Sequence, residues 1–293
     1  MKVLLLTTHL NTGGITSYLL SLAGGLISQG HQVFIVSSEG TCVEQFTSIG
    51  AKVMRIDIRT KSELSPKIYL NVSKVRNFIT KHSIDIIHAH TRVTQVMAHF
   101  LSKRCGIPYL STCHGFFKPR FSRKIFPCWG QATIAISQPV KQHLVRDFGI
   151  KENVVHVVNN GIDLKLFRVD VAEIKQELRE QFQLNDKIVI GTIARLSDVK
   201  GLDVLIEAFR DVVGNDPRCQ LVIIGQGKEE AGLKKLVNDL SLNDRVLFLP
   251  VIEQTHRMLP LIDLFVMPSR MEGLGLSVME AQAVGLPVIA SNV

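Results

Sequence analysis

Long apolar runs are missing from this sequence of 293 residues. The amino-terminal stretch MKVLLLTT has only four consecutive apolar residues before Thr7, too few for the core of a signal peptide. No other run approaches the roughly 20 residues of a membrane-spanning helix. We therefore expect a cytoplasmic protein whose first apolar run is a buried β-strand.

CxxC pairs of cysteines and Asp-x-Asp pairs of carboxylates are also missing. The five cysteines are scattered without CxxC spacing, so neither a zinc site nor a disulfide framework is indicated. No Asp-x-Asp sequence occurs, so the chain does not offer that pair of carboxylates to Mg²⁺ or Mn²⁺. We expect reduced, mostly buried thiols, no bound metal and no cofactor.

Acidic residues are scarce in the first part of the chain. Residues 1–168 contain 21 Lys and Arg against 8 Asp and Glu, a net charge of +13, whereas residues 169–293 carry −5. This asymmetry indicates an anionic partner for the first part: nucleic acid, an anionic membrane surface or a phosphorylated substrate. No nucleic-acid-binding module is recognisable, so we expect no nucleic-acid partner.

Short β-rich apolar runs alternate with amphipathic helical stretches along the whole chain, beginning with KVLLLTT and ending with LPVIAS. Such alternation predicts parallel sheets with right-handed crossovers. We predict two Rossmann-like, doubly wound α/β domains, residues 1–168 and 169–293, joined near NNGIDLKLF and facing a cleft. Ligands bind such sheets at the carboxyl ends of the strands, and a cleft between domains is the expected site.

Two predicted strand ends in the first domain carry unusual residues. Gly13 and Gly14 precede a helix, where their backbone amides could approach an anion, although a plain tight turn would explain them equally well. His114 follows the strand IPYLSTC, as a catalytic residue or as a hydrogen-bonded structural histidine.

In the second domain, Arg195 and Lys200 lie in one loop between a strand and a helix. A forked guanidinium and a mobile ammonium make a good cradle for a diphosphate. A solvated loop would also explain them, but helix starts usually attract acids rather than bases. The pattern therefore favours a functional loop.

The segment LVIIGQGKEE resembles half of a dinucleotide-binding fingerprint. Gly225 and Gly227 have the right spacing, but Glu230 stands where the third glycine belongs. Backbone approach to a nucleotide at Gly225 stays open, whereas dinucleotide binding is weakly supported.

The segment EGLGLSVMEA contains two acids that a core helix does not need. Glu272 lies in the predicted loop Ser269–Gly275, and Glu280 lies about one turn into the following helix. Carboxylates accept hydrogen bonds from hydroxyls, and a sugar ring offers several. A nucleotide sugar, with two rings separated by a diphosphate, would match these two acids and the two cations.

These motifs together resemble a glycosyltransferase of the GT-B fold, family 4, over essentially all residues. Glu272 and Glu280 match the E-x7-E motif of that family, and ARLSDVKG matches its phosphate loop. The Gly13–Gly14 loop, CHG, AISQPVKQHL and VVNNGID resemble further family segments.

The resemblance implies a metal-independent, retaining hexosyltransferase-type enzyme. It would move sugar from a nucleotide-diphosphate sugar to a hydroxyl acceptor in cell-surface polysaccharide, lipopolysaccharide or glycolipid synthesis. Glu272 would contact the donor sugar, Glu280 the ribose, Arg195 and Lys200 the leaving diphosphate, and His114 the reaction centre. The remaining donor-binding residues implied are Gly14, Gly225, Gly273, Leu274 and Gly275.

Two other functions remain open at this point. A GT-B-like sugar-nucleotide epimerase would need additional acid/base residues, and a non-catalytic nucleotide-sugar-binding protein would bind the donor without turnover.

The basic, aromatic segment GFFKPRFSRKIFPCWG follows His114 directly. Aromatic rings and cations together are typical of a peripheral site at an anionic membrane surface, where a lipid-linked acceptor could arrive. A loop that packs its rings inward would have the same composition. The first interpretation predicts a peripheral position at the inner face of the cell membrane.

The chain ends immediately after the predicted strand in LPVIASNV, without a helix to cover it. By the resemblance, further β/α elements and a closing helix would follow. We therefore expect an incomplete second domain with exposed apolar surface and weak or absent transfer.

Overall fold

The structure is a computed structural model that describes residues 1–60, 62–119, 122–123, 126–252 and 254–293. It divides into two compact units, Met1–Gly161 and Ile162–Val293. Within the described ranges, no helix combines the length and the apolar character needed to cross a membrane.

Unit 1 is a parallel sheet of seven strands in the order β3-β2-β1-β4-β5-β6-β7. The strands are β1 (Lys2–Leu6), β2 (Gln32–Ser37), β3 (Lys52–Arg55), β4 (Ile86–Ala89), β5 (Tyr109–Cys113), β6 (Ala132–Ala135) and β7 (Val155–Val157). The helices are α1 (Gly14–Ser28), α2 (Val43–Ser48), α3 (Pro66–His82), α4 (Arg92–Cys105) and α5 (Gln138–Phe148). Strand order reverses beside β1, which pairs with β2 on one side and β4 on the other.

Local sequence explains where the helices of unit 1 begin and end. Thr91 and Thr94 form a reciprocal capping box at the start of α4, and Ser137 accepts a hydrogen bond from the Val140 amide at the start of α5. Both helices end at a glycine in the left-handed conformation, Gly106 and Gly149. The two amino-terminal caps fix where α4 begins after β4 and where α5 begins after β6.

Unit 2 is a smaller parallel sheet of five strands in the order β10-β9-β8-β11-β12. The strands are β8 (Ile188–Ile193), β9 (Cys219–Ile224), β10 (Val246–Leu249), β11 (Leu264–Met267) and β12 (Val288–Ala290). The helices are α6 (Val171–Gln181), α7 (Leu202–Asn215), α8 (Glu230–Asp239) and α9 (Leu276–Ala283). Strand β8 lies between β9 and β11, so the loops that follow these three strands are neighbours.

An acid at the start of β11 ties the elements of unit 2 together. Asp263 accepts hydrogen bonds from Lys175 and Arg179 of α6, at 2.6 and 2.5 Å, and from the backbone amide of Val189 at 2.8 Å. These partners hold the pKa of Asp263 below its usual range although burial opposes the shift. The contacts anchor α6 at the amino-terminal edge of the sheet, opposite the edge where the site residues lie.

The prediction of an α/β fold with two parallel, doubly wound sheets is confirmed, with the second sheet the smaller. The expected alternation of strands and helices runs through both units. Helix α2 has only six residues, too few to show a helical period in the sequence.

The described aromatic residues of the segment after His114 contact other side chains; Trp129 is buried, and Phe116, Phe117 and Phe126 are partly exposed. Trp129 is buried against Phe148, and Phe126 packs against the rings of His99 and Phe100. The ring of Phe117 lies 4.7 Å from the guanidinium carbon of Arg123. Arg120, Phe121 and Lys124 lie outside the described residues. These contacts favour the inward-packing interpretation for the described rings.

Candidate functional site

Two loops at the carboxyl edge of the unit 2 sheet are tied to each other by backbone contacts. One follows β8 and contains Arg195 and Lys200; the other follows β11 and contains Glu272. The amides of Arg270 and Met271 donate to the Val199 carbonyl oxygen, at 2.9 and 3.3 Å. The two loops therefore hold their cations and their carboxylate at one edge of the sheet.

Arg270 reinforces this connection through its side chain. Its guanidinium donates to both carboxylate oxygens of Asp203, at 2.8 and 2.6 Å, and to the Asp198 carbonyl oxygen at 2.9 Å. Asp203 lies in the first turn of α7, so this helix start carries the acid that helix starts usually attract. Lys200 lies in the loop as predicted: it ends a short 3₁₀ turn, and Gly201 separates it from α7.

Lys200 and Glu272 meet directly across the two loops. The ammonium nitrogen of Lys200 contacts Oε2 of Glu272. The Ser269 hydroxyl donates to the same oxygen at 3.3 Å, and the Gly273 amide donates to Oε1 at 3.1 Å. Both side chains of the pair are largely buried, with 17% and 23% of their surface exposed. The loop thus orients the carboxylate before any ligand arrives.

The other predicted members of this edge differ in exposure. Arg195 is exposed and has no ion-pair partner within the described residues. Gly275 caps α9 at φ +70°, a conformation that favours glycine, and Gly273 and Leu274 complete the loop before it. Arg195 is therefore a free cation on the same loop as the paired Lys200.

Glu280 is the fifth residue of α9 and is not placed beside Glu272 by any contact that the structure records. Burial raises the pKa of Glu280, and a hydrogen bond from the Thr255 side chain opposes that shift only in part. A carboxyl group held in this way gains from any additional hydrogen-bond donor, such as a ligand hydroxyl.

Gly225 packs against the loop that follows β8. A Cβ atom at Gly225 would lie 1.9 Å from the carbonyl oxygen of Ala194, and one at Gly227 would lie 2.0 Å from that of Leu196. The Leu196 amide donates to the Gln226 carbonyl oxygen at 3.0 Å. Glycine is therefore required at both positions because the two loops approach each other too closely for a side chain.

A cavity of about 380 Å³ opens where β9 and β10 end. Its lining residues are Gly225, Gln226, Glu230, Lys234, Phe248, Leu249 and Pro250. Lys234 pairs with Glu230 at 2.7 Å and lies 5.6 Å from the centre of the Phe248 ring. The cavity thus offers an apolar ring and backbone groups to a flat ligand.

Unit 1 contains a cluster of three histidines at its sheet edge. His88 and His90 lie at the end of β4, and His114 follows the neighbouring strand β5. His90 Nδ1 lies 3.2 Å from His114 Nε2, and His88 Nε2 lies 2.7 Å from the Thr112 hydroxyl. The ring of Tyr18, from α1, packs edge-on against His114 with ring centres 4.8 Å apart.

Burial keeps these imidazoles neutral. It lowers the pKa of His88 to about 3 and that of His114 to about 4, and it holds the pKa of His90 well below its usual value. The sequence prediction named His114 alone. The signal for the other two was the alternation in IIHAH, which puts both histidines on one face at a strand end next to the strand that precedes His114.

Gly14 is the first residue of α1, after Gly13 at the cap position. No side chain caps this helix start and no acid lies in its first turn. Among the described residues, no group of three or more His, Cys, Asp or Glu is placed to hold a metal ion.

Comparison with known proteins assigns both units. The family described as "Glycosyltransferase Family 4" matches residues 12–166, and "Glycosyl transferases group 1" matches residues 174–293.

Individual relatives are distant but nearly colinear with the chain. EpsF of Bacillus subtilis (strain 168) is 28% identical, with 99% of this chain and 79% of EpsF aligned. The capsular polysaccharide biosynthesis glycosyltransferase CapM of Staphylococcus aureus is 29% identical, with 89% of this chain and 72% of CapM aligned.

A solved structure shares the fold. Anabaena HepE in complex with UDP-glucose superposes with a TM-score of 0.85 at 22% identity, and HepE in complex with UDP and glucose gives 0.84 at 23%. Each alignment covers all of this chain, with 80% and 81% of HepE. With one family profile covering more than half of its residues, the chain belongs to Glycosyltransferase Family 4.

Proposed function

We propose that this glycosyltransferase moves a hexosyl group from a nucleotide-diphosphate sugar to a hydroxyl acceptor, with retention of anomeric configuration. The observation that carries the proposal is the contact of Lys200 with Glu272 on two interlocked loops, with Arg195 exposed beside it. These loops offer cations for a diphosphate and an oriented carboxylate for sugar hydroxyls.

The cations would act on the leaving group. Glycosyl transfer passes through an oxocarbenium-like state while negative charge develops on the departing diphosphate. Fixed cations aimed at that charge lower the barrier because they need no reorganisation during the reaction. Arg195 and Lys200 would supply them, with Lys200 exchanging its carboxylate partner for phosphate oxygens.

The two carboxylates would divide the donor between them. Glu272 would accept hydrogen bonds from sugar hydroxyls, since Ser269 and the Gly273 amide already fix its orientation. Glu280 would accept from the ribose, and the cavity beside Gly225 would take the nucleobase against Phe248. The departing phosphate would take the acceptor proton on the same face, so Glu272 is not assigned as a nucleophile.

The remaining residues predicted from the family resemblance would also contact substrates. Gly14 would offer its backbone to a phosphate or to the acceptor. Backbone groups of Gly225 and of the loop Gly273, Leu274 and Gly275 would contact the donor. His114 would hydrogen-bond a substrate oxygen. HepE is described in complexes with UDP and with UDP-glucose, which supports a nucleotide-sugar donor here.

The biological setting is proposed from the relatives. CapM is named for capsular polysaccharide biosynthesis, and an Escherichia coli relative is named as a galactosyltransferase acting on GlcNAc-diphosphoundecaprenol. Synthesis of a cell-surface polysaccharide, lipopolysaccharide or glycolipid fits both names. A lipid-linked acceptor and a peripheral place at the inner face of the membrane fit the basic first part of the chain.

A donor screen followed by product analysis tests the proposal. Thermal shift with UDP-, GDP- and ADP-sugars should identify one stabilising donor, since a ligand that binds only the folded chain raises its stability. NMR of the glycoside formed with an alcohol as acceptor should show the same anomeric configuration as the donor. Lys200→Ala should lose this turnover, and Lys235→Ala, on the exposed face of α8, should keep it. An inverted product would contradict the proposed mechanism.

A further inference from the structure

The buried His90 and the partly exposed His114 form a pair of imidazoles joined by one hydrogen bond. His90 Nδ1 faces His114 Nε2 at 3.2 Å. His90 is 2% exposed, and its other ring nitrogen, Nε2, is buried without a hydrogen-bond partner in the described structure. His114 is partly exposed, and its Nδ1 has no protein partner there either.

A pair of neutral imidazoles has two ways to make this bond. Burial lowers the pKa of both rings far below neutrality, so each carries a single proton near pH 7. Either His90 donates from Nδ1, or His114 donates from Nε2. The first arrangement puts the His114 proton on Nδ1, and the second leaves that nitrogen bare.

The unpartnered nitrogen of His90 decides between them. If His114 donated, the single proton of His90 would be on Nε2, an N–H group buried without an acceptor. If His90 donates from Nδ1, its Nε2 is an unprotonated nitrogen whose lone pair is unused. Buried donors without partners are rarer in proteins than under-satisfied acceptors, and an unmade hydrogen bond costs about 1–3 kcal/mol. The first arrangement is therefore the more stable.

We infer that His90 is a positioning residue that donates from Nδ1 to His114 Nε2 and thereby holds His114 as the Nδ1–H tautomer. His114 then presents a hydrogen-bond donor to a substrate oxygen and has no free lone pair with which to take the acceptor proton. This agrees with proton transfer to the departing phosphate. The catalytic consequence rests on the proposed function, whereas the tautomer does not.

The neighbouring rings hold His90 in place for this task. The His88 and His90 ring centres lie 4.0 Å apart, and Tyr18 contacts both His90 and His114. His88 is itself fixed by its bond with Thr112. The packing leaves the His90 ring little freedom to turn its Nε2 toward His114.

NMR of the full chain with ¹⁵N-labelled histidine tests the tautomer directly, because a protonated and a bare ring nitrogen differ strongly in ¹⁵N shift. His114→Gln assigns the signals. Wild type should show His114 protonated at Nδ1 and bare at Nε2. His90→Phe keeps a ring of similar shape but no donor, and should release His114 to a tautomer mixture; His90→Asn retains a donor near the Nδ1 position and should restore Nδ1–H.

Kinetics separate positioning from a purely structural role. His90→Phe should lower turnover about tenfold, the equivalent of one net hydrogen bond, with the donor KM nearly unchanged. In a His114→Ala background the same substitution should have no further effect. An Nε2–H tautomer in wild type, or an unchanged Nδ1–H tautomer in His90→Phe, would overturn the inference. Because the NMR result needs no turnover, its failure is distinct from failure of the proposed function.

Discussion

Lys200 and Glu272 form an ion pair although they lie 72 positions apart and on loops that follow different strands. The pair neutralises the two groups that the proposed function assigns to opposite parts of the donor. A ligand carrying both a diphosphate and a sugar can replace the lost contact on each side. A nucleoside diphosphate alone can replace it only for Lys200.

Glu272→Gln should therefore separate binding of the nucleotide from turnover. Removing the carboxylate charge frees Lys200, so affinity for the nucleoside diphosphate alone should stay equal or rise. Turnover should fall by roughly 10², because an oriented acceptor for sugar hydroxyls is lost. Calorimetry with the nucleotide and a transfer assay measure the two quantities. Equal losses in both would refute the assignment of Glu272 to the sugar.

Arg195→Ala and Lys200→Ala should each lower turnover by roughly 10² or more, because each removes a cation from developing charge. Near-normal turnover in either variant would remove that residue from the phosphate cradle. Lys235→Ala is the matched control for a general loss of positive charge. Arg195→Ala should change the free energy of unfolding little, since Arg195 is exposed and has no ion-pair partner within the described chain.

Nucleotide binding should release a proton from Glu280. Burial raises its pKa above the usual value, and ribose hydroxyls favour the ionised form, so binding lowers that pKa again. At a pH between the pKa of the bound form and the raised pKa of the free form, Glu280 is protonated in the free chain and ionised in the bound chain. Affinity should weaken as the pH falls through this window. Calorimetry in buffers of different ionisation enthalpy measures the proton.

Glu280→Gln is the control for this linkage. It should weaken nucleotide binding at neutral pH and abolish the release of the proton. A raised carboxyl pKa also stabilises the folded state at low pH and loses that contribution as the pH rises through the folded pKa. The stability difference between wild type and Glu280→Gln should therefore grow in favour of the variant from pH 4 to neutral pH. A pH-independent difference would contradict the raised pKa.

Arg270→Ala should affect turnover more than stability. Its pair with Asp203 is substantially exposed, and such pairs contribute about 0–1 kcal/mol. The same guanidinium helps to hold the Glu272 loop against the Lys200 loop, so its loss should lower turnover several-fold. Arg210→Ala removes a comparable exposed pair on α7 and serves as the control. Equal turnover in the two variants would show that the backbone contacts at Val199 are sufficient.

The first part of the chain should bind anionic vesicles through its charge. Since Trp129 and Phe126 of the segment after His114 are engaged with rings of the protein, we expect the attraction to come mainly from surface cations, each contributing about 1 kcal/mol. Sedimentation with vesicles should rise with the fraction of anionic lipid and fall with added salt, which screens exposed charges. Sedimentation that does not change with the fraction of anionic lipid would contradict the proposed membrane contact.

The sequence predicted those features that depend on local patterns. The alternation of apolar runs and amphipathic stretches predicted both sheets, and Glu272 was predicted in the loop and Glu280 in the helix where they are found. The sequence could not predict the ion pair between Lys200 and Glu272, or the hydrogen bond between His90 and His114, because both depend on which strands are neighbours. Gly225 was assigned to ligand approach, whereas its contact with Ala194 became visible only in three dimensions.

The contact of Gly201 with Pro268 has a consequence for redesign. A methyl group at Gly201 would lie 2.1 Å from the Pro268 carbonyl oxygen, and the residue already has φ +62°. Gly225 lies just as close to Ala194. The segments that follow β8, β9 and β11 therefore pack against one another with no room for larger side chains at these glycines. A change of donor preference by exchanging a single segment from a relative would force its neighbours apart. The segments around 194–201, 225–227 and 268–275 should instead be exchanged together, as one cassette.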